Sequence, residues 1–407
     1  MNRIYFHSTA QTLHRQIQPS PYTNGTPCPA ISSIDELRPS FSLTGNKGNM
    51  VHAEAALKLL DVNRSRSCVG NLTHIKKACG SGFTKYMDDN FDYVVLSLAN
   101  FIRKGMDHTM LVSVLKEIEV PLIVFGAGMQ THVKDSTTLH ASTRSLIALL
   151  DEKCRLMGVR GDKTSDFLQS LGFRNHKILG CPSMYVYPRN ILAIQPISYE
   201  VGNRWATAGH ISYNNLDGSR PTFKRSHALL ECIKGESPDY IFQDEVFSFT
   251  DLLDTAGLYD EATGKMNRDL INGFFREKLG NSLPFADYWW FNEVSQWRQY
   301  MLRMKFYLGD RFHGGVVGLQ GSVPAVFIAG DQRIDELTDF FGIPKTTFSE
   351  LKSEGLRAVV DDRCSMESLD AFKARYRTRL QPFVEAVTGA GLQLVNRDAL
   401  LQASGAQ

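Results

Sequence analysis

Residues Lys305–Gly330 read KFYLGDRFHGGVVGLQGSVPAVFIAG. Phe306, Tyr307 and Leu308 form a short apolar run ending at Gly309, as a buried parallel strand does. The turn Asp310-Arg311-Phe312 leads into a helical segment, His313–Gln320, which carries Val316, Val317 and Leu319. Gly321 sits where a left-handed helix cap is expected, Pro324 blocks continuation, and Ala325–Ala329 is a second strand. In an open α/β sheet the carboxyl ends of the strands and the following helix N-termini favour anions. Arg311 and His313 occupy that place, with Gly314 and Gly315 expected to let a ligand approach the backbone. The segment reads as an anion pocket with one permanent cation and one group that moves protons near neutral pH.

Working outward, 407 residues exceed one ordinary core and imply two or three domains. A hydrophobic content of 43% with 22% charged residues is that of a soluble globular chain. The 45 basic and 43 acidic residues leave a net charge of +2, so no overall field recruits nucleic acid or a membrane surface. The first residues lack an apolar core of signal-peptide length, and no transmembrane run appears, which points to a cytoplasmic protein. The seven cysteines are scattered without a C-x-x-C pair, so reduced thiols are expected, with no metal site and no disulfide framework.

Residues 1–38 read as a surface leader, 39–188 as a first α/β domain and 189–203 as a linker. Residues 204–362 read as a second α/β domain and 363–407 as a C-terminal helix and tail. In the first domain, Phe41–Met50 gives a Gly/Asn turn before a helix, where Asn46 and Asn49 either cap the helix or offer amides to a ligand. Phe91–Asn100 and Val120–Gly126 are buried-strand candidates, and Cys154–Arg160 is a strand ending in Arg160-Gly161-Asp162. Arg160 is thus the same device as Arg311, or else a salt-bridged surface arginine. Asp162 or Thr164 is expected to cap the next helix. In the second half Arg204–Tyr213 and Tyr240–Gln243 read as strands, Asp251–Ala286 as a broken helix and Ala358–Asp361 as a short strand. Ser365–Val387 reads as a long amphipathic helix interrupted near Pro382. Trp289-Trp290 is either core packing or a sugar-stacking pair.

Several segments together resemble the polysaccharide pyruvyl transferase family. They are Thr44-Gly-Asn-Lys-Gly-Asn49, Leu98-Ala-Asn100, Val124-Phe-Gly-Ala-Gly-Met-Gln130, Gly158-Val-Arg-Gly-Asp162, Gly180-Cys-Pro-Ser183, and Asp310-Arg-Phe-His313 with Gly321-Ser-Val-Pro324. The likeness covers most of 41–185 and about 300–342, and leaves 189–295, and with it the acceptor, open. It implies two Rossmann-like domains facing a central cleft, a GT-B-like arrangement. It also implies a transferase that moves a pyruvyl group from phosphoenolpyruvate, a co-substrate rather than a bound cofactor, onto sugar hydroxyls of a polysaccharide or its lipid-linked precursor. The products would be a pyruvate ketal and phosphate, at a cytoplasmic site that includes the inner membrane face. The resemblance points to Arg160, Arg311 and His313 as donor-site residues, with Gly314 and Gly315 beside them. Asn46, Asn49 and Gln130 are the expected acceptor contacts. A nucleotide-sugar glycosyltransferase of the same fold and a non-catalytic glycan-binding protein are the rival readings.

Overall fold

A computed structural model describes residues 1–8, 46–130, 133, 135–212, 216–217, 223–249 and 251–405. The expected leader from residue 9 onward and the start of the Phe41–Met50 segment, through Gly45, lie outside these residues. The first sheet contains β1 (Ile4–His7), β2 (Cys68–Gly70), β3 (Tyr93–Leu96), β4 (Leu122–Ala127), β5 (Cys154–Val159) and β6 (Lys177–Ile178). All are parallel, in the order β2-β1-β3-β4-β5-β6. The leader expectation is corrected for the first strand: Ile4 and Tyr5 are fully buried, and β1 lies between β2 and β3. Four residues flanked by polar chain give too short an apolar run to stand out by periodicity.

The second sheet contains β7 (Ala206–Thr207), β8 (Asp239–Ile241), β9 (Tyr259–Asp260), β10 (Lys265–Met266), β11 (Tyr288–Trp289), β12 (Tyr307–Gly309), β13 (Ala325–Ile328) and β14 (Lys345–Thr346). Its order is β14-β13-β12-β7-β8-β11-β10-β9, parallel except where β10 pairs antiparallel with β11 and β9. The chain is therefore two Rossmann-like α/β lobes of GT-B-like build, as expected. Within 251–286 the broken helix reduces to the β9–β10 hairpin and a helix at Arg268–Leu279. Residues 358–361 are helical, inside Leu356–Arg363: Leu356, Val359 and Val360 are buried at helical spacing.

Six helices position the site: α1 (Gly48–Leu59), α2 (Asp162–Ser170), α3 (Val294–Met301), α4 (Phe312–Gln320), α5 (Gln332–Phe341) and α6 (Met366–Gly389). α6 runs through Pro382 without the expected interruption. It returns to the first lobe, where Phe383 stacks on Tyr185 and the Tyr376 hydroxyl donates to Met184 O at 2.5 Å.

Each sheet has an apolar cluster on its outer face, and a third cluster is shared between the lobes. The shared one joins Phe6 and Phe125 to Val316, Phe327, Phe372 and Phe383. α1 runs through this shared region and buries every residue but Asn49 and Lys58. Glu54 on α1 is 2% exposed and accepts from Arg298 of α3 at 2.7 and 3.0 Å. A two-pronged ion pair inside an apolar interface fixes the register of one lobe against the other, because sliding strands two charges in a low-dielectric setting.

Candidate active site

The carboxyl ends of both sheets face one cleft of about 450 Å³, lined among others by Asn46, Asn49, Asn100, Arg160, Gln243, Arg311, His313 and Arg333. Asn100 and Arg160 follow β3 and β5, Gln243 follows β8, Arg311 follows β12, and Arg333 follows β13. From Asn100 to Arg333, side chains separated by up to 233 positions thus meet because parallel strands deliver their ends to the same edge.

Arg160 is 2% exposed. Its Nε donates to Gly126 O at 3.0 Å and its Nη1 to Asn100 Oδ1 at 2.5 Å, both neutral acceptors. Among the described residues no carboxylate lies within ion-pair distance of it, so the reading of Arg160 as a salt-bridged surface residue is set aside. Gly128 makes room for it, since a Cβ there would stand 2.5 Å from Arg160 Cδ. Burial lowers the arginine's pKa from its ordinary value, with Arg333 adding repulsion. A buried guanidinium held only by neutral oxygens keeps its charge uncompensated by any carboxylate among the described residues.

Arg311 is different. Its Nη2 donates to Asp244 Oδ1 at 2.5 Å and to Glu245 Oε1, and its Nε donates to Gly209 O at 3.0 Å. Burial works against its charge, but Asp244, Glu245 and Asp310 hold it firmly protonated. The expectation of a free anion-binding cation at 311 is therefore corrected: two carboxylates already match that charge. Arg333 comes closer to the role. Its Nε and Nη2 donate to Asp331 at 2.9 and 2.8 Å, and among the described residues its Nη1 has no partner.

His313 lies in the first turn of α4. Its Nε2 is 3.4 Å from Cys181 Sγ, and its Nδ1 lies on the Gly48 side, where a Cβ added to Gly48 would stand 3.0 Å away. Burial first, then the neighbouring His52, Arg160 and Arg333, hold its pKa well below the usual histidine value. The uncharged imidazole is thereby favoured at His313. His52 stands edge-on with ring centroids 6.3 Å apart, and its Nε2 donates to Phe125 O at 3.0 Å. Burial and Arg160 lower its pKa to about 3, so it stays uncharged.

Gly314 and Gly315 lack side chains for a packing reason as well. A Cβ on Gly314 would stand 2.8 Å from the Tyr307 hydroxyl, and one on Gly315 2.3 Å from Phe327 Cζ, so the missing side chains seat α4 on β12 and β13. Asn46 and Asn49 line the cleft, and Asn46 Oδ1 accepts from Gly48 N at 3.0 Å. Gln130 is not among the lining residues; its backbone N–H bonds Ile102 O at 2.9 Å. Neither Asp162 nor Thr164 caps α2 with its side chain. Glu336 of α5 accepts from Thr164 N at 2.7 Å and Thr164 Oγ1 at 2.9 Å, which places a carboxylate from the other lobe at that helix N-terminus. Trp289 and Trp290 are core residues, and the Trp290 indole donates to Gln243 O at 3.0 Å.

Sequence reasoning missed Gln243, Asn100 and Arg333. For Arg333 a signal existed: Ala329-Gly330-Asp331-Gln332-Arg333 repeats the strand, turn and capped-helix pattern of Arg311. For Gln243 there was none, because Tyr-Ile-Phe-Gln-Asp-Glu carries no Gly or Pro to mark the strand end.

Two lobes whose strand ends meet over a cleft, with one buried guanidinium that meets no carboxylate among the described residues, define a two-Rossmann protein. A family model for polysaccharide pyruvyl transferase matches residues 46–332, more than half of the chain, and the chain belongs to that family. No curated protein matches it. Among solved structures it is similar to the UDP-GlcNAc 2-epimerase from Neisseria meningitidis bound to UDP-GlcNAc, at 11% identity and TM-score 0.46 over 94% of this chain and 100% of that one. It is also similar to Anabaena Alr3699/HepE in complex with UDP and glucose, at 11% identity and TM-score 0.45 over 100% of both chains. Among the described residues no helix is long and apolar enough to cross a membrane.

Proposed function

We propose that the protein transfers the pyruvyl group of phosphoenolpyruvate to two hydroxyls of a sugar in a polysaccharide or its precursor, forming a ketal and releasing phosphate. The observation that carries this is Arg160, a buried cation held in place by two neutral oxygens and facing the same cleft as a neutral histidine. Phosphoenolpyruvate bears a phosphate and a carboxylate on one carbon, and planar cations match such groups with paired hydrogen bonds. Arg160 and Arg333 take these groups. Arg311, fixed by Asp244 and Glu245, shapes the wall behind them.

His313 acts as the proton carrier. Its Nδ1 takes the proton of the first sugar hydroxyl as that oxygen attacks the donor's central carbon, and passes it to the methylene, which becomes the methyl group. The second hydroxyl then attacks the same carbon, the C–O bond to phosphate breaks, and the second hydroxyl's proton leaves with the phosphate. Charge that develops on the departing phosphate is stabilised by the guanidinium groups. Asn46 and Asn49 orient the acceptor from the first lobe.

Phosphate release from phosphoenolpyruvate, with mass spectrometry of a lipid-linked oligosaccharide pool for an added pyruvyl group, tests the reading. His313→Ala is expected to abolish turnover, by about 10²-fold or more, with donor binding retained. Nucleotide release from sugar nucleotides without phosphate release would transfer the site to the glycosyltransferase reading. Transfer at the parent rate by His313→Ala would remove the histidine from the chemistry.

A further inference from the structure

Behind His313, on the side away from the cleft, lies a short chain of buried polar groups that the proposed chemistry does not use. His313 Nε2 is 3.4 Å from Cys181 Sγ, and Cys181 Sγ is 3.0 Å from Ser183 Oγ. Both Cys181 and Ser183 are fully buried. Ser183 is itself fixed, because its carbonyl accepts from Gln320 Nε2 at 2.7 Å, and Gln320 Oε1 in turn accepts from Arg298 at 3.3 Å. The Arg298–Glu54 pair that joins the lobes therefore anchors this chain as well.

A neutral imidazole carries its proton on one nitrogen only, and the group facing the other nitrogen decides which. With the proton on Nε2, the N–H donates to the Cys181 sulfur, the thiol hydrogen turns to Ser183 Oγ, and the Nδ1 lone pair faces the cleft. With the proton on Nδ1, that N–H has no acceptor within hydrogen-bond geometry among the described residues; it lies on the Gly48 side, where the nearby Asn46 Oδ1 and Gln243 Oε1 already accept from Gly48 N. An unsatisfied N–H is the costlier arrangement. Cys181 stays a thiol in either case, since burial pushes its pKa up despite Arg160 and Ser183.

We infer that Cys181, backed by Ser183, is a positioning residue that holds His313 in the Nε2–H form, so that a lone pair on Nδ1 meets the attacking sugar hydroxyl. This rests on the function proposed above for its catalytic meaning, but the tautomer itself does not.

The test is the long-range ¹H–¹⁵N spectrum of ¹⁵N-histidine-labelled full-length protein without substrate, with the His313 signals identified by their loss in His313→Gln. The expected result is a protonated Nε2 and an unprotonated Nδ1 in the parent, and a mixture of both forms in Cys181→Ala. The Nδ1–H form in the parent overturns the inference, as does an unchanged spectrum in Cys181→Ala. In turnover, Cys181→Ala is expected to lower kcat about fivefold, the weight of one net hydrogen bond, with KM for phosphoenolpyruvate within about twofold. Cys181→Ser, which keeps a donor and acceptor at that point, is expected to recover part of the loss, and recovery no better than that of Cys181→Ala counts against the idea. If the parent releases no phosphate from phosphoenolpyruvate, the proposed function falls while the spectrum still decides the tautomer.

Discussion

Replacing Arg160 with alanine removes the one buried guanidinium in the cleft that, among the described residues, meets no carboxylate. Two of its N–H groups are committed to Gly126 O and Asn100 Oδ1, and the rest are available to an anion. A hydrogen bond to a charged group contributes about 1.5–3 kcal/mol net. Two such bonds to phosphate or carboxylate, taken in the lower half of that range, give about 3–4 kcal/mol, or ~10²–10³-fold in affinity. Calorimetric titration with phosphoenolpyruvate is the direct assay, supported by circular dichroism because the variant also leaves Asn100 Oδ1 and Gly126 O without their donor. Arg160→Lys keeps the charge but not the fork, and is expected to fall between parent and alanine variant. A folded Arg160→Ala that binds phosphoenolpyruvate within about threefold of the parent would refute the assignment of the anion site.

Three further outcomes follow from the geometry. Arg333→Gln removes one of the charges that depress the His313 pKa, so the pH below which kcat/KM falls through protonation of that base should move upward; a pH–rate profile measures it. Arg311→Ala should harm folding more than donor affinity, since it leaves the buried Glu245 carboxylate without its partner beside the part-exposed Asp244; thermal melts should show a loss of about 3 kcal/mol. Glu54→Ala should destabilise by a similar ~3–5 kcal/mol by stranding Arg298, whereas Glu54→Leu combined with Arg298→Met should recover most of it, as urea unfolding of both variants would show.

The parts of this fold that are legible in sequence are those whose signal is local. Val124-Phe125 and Tyr307-Leu308 are apolar on both faces, so each strand announces a sheet covered on both sides. Gly309 and Pro324 punctuate their unit without ambiguity. What stays hidden is pairing across the chain. Nothing near Arg311 shows that Asp244 and Glu245, two strands over, neutralise it, or that Arg160 finds only neutral partners; the two arginines look alike until their surroundings are known. The packing role of the glycines after His313 is hidden for the same reason, because the rings of Tyr307 and Phe327 that claim their space come from neighbouring strands. The Ala-Val-Val run at 358–360 satisfies a strand by composition, yet the burial of Leu356 with Val359 and Val360 is a helical stripe that a four-residue window cannot reveal.

The return of α6 to the first lobe has a bearing on how the polypeptide matures. Phe383 stacks on Tyr185, the Tyr93 hydroxyl bonds Ala390 O, and Leu394 bridges to Leu60, so the amino-terminal half keeps a raw apolar flank until residues near 390 have left the ribosome. Neither half can finish alone. A nascent chain halted after the second sheet would present that flank to chaperones, and synthesis of α6 and the segment just after it is the event that seals it.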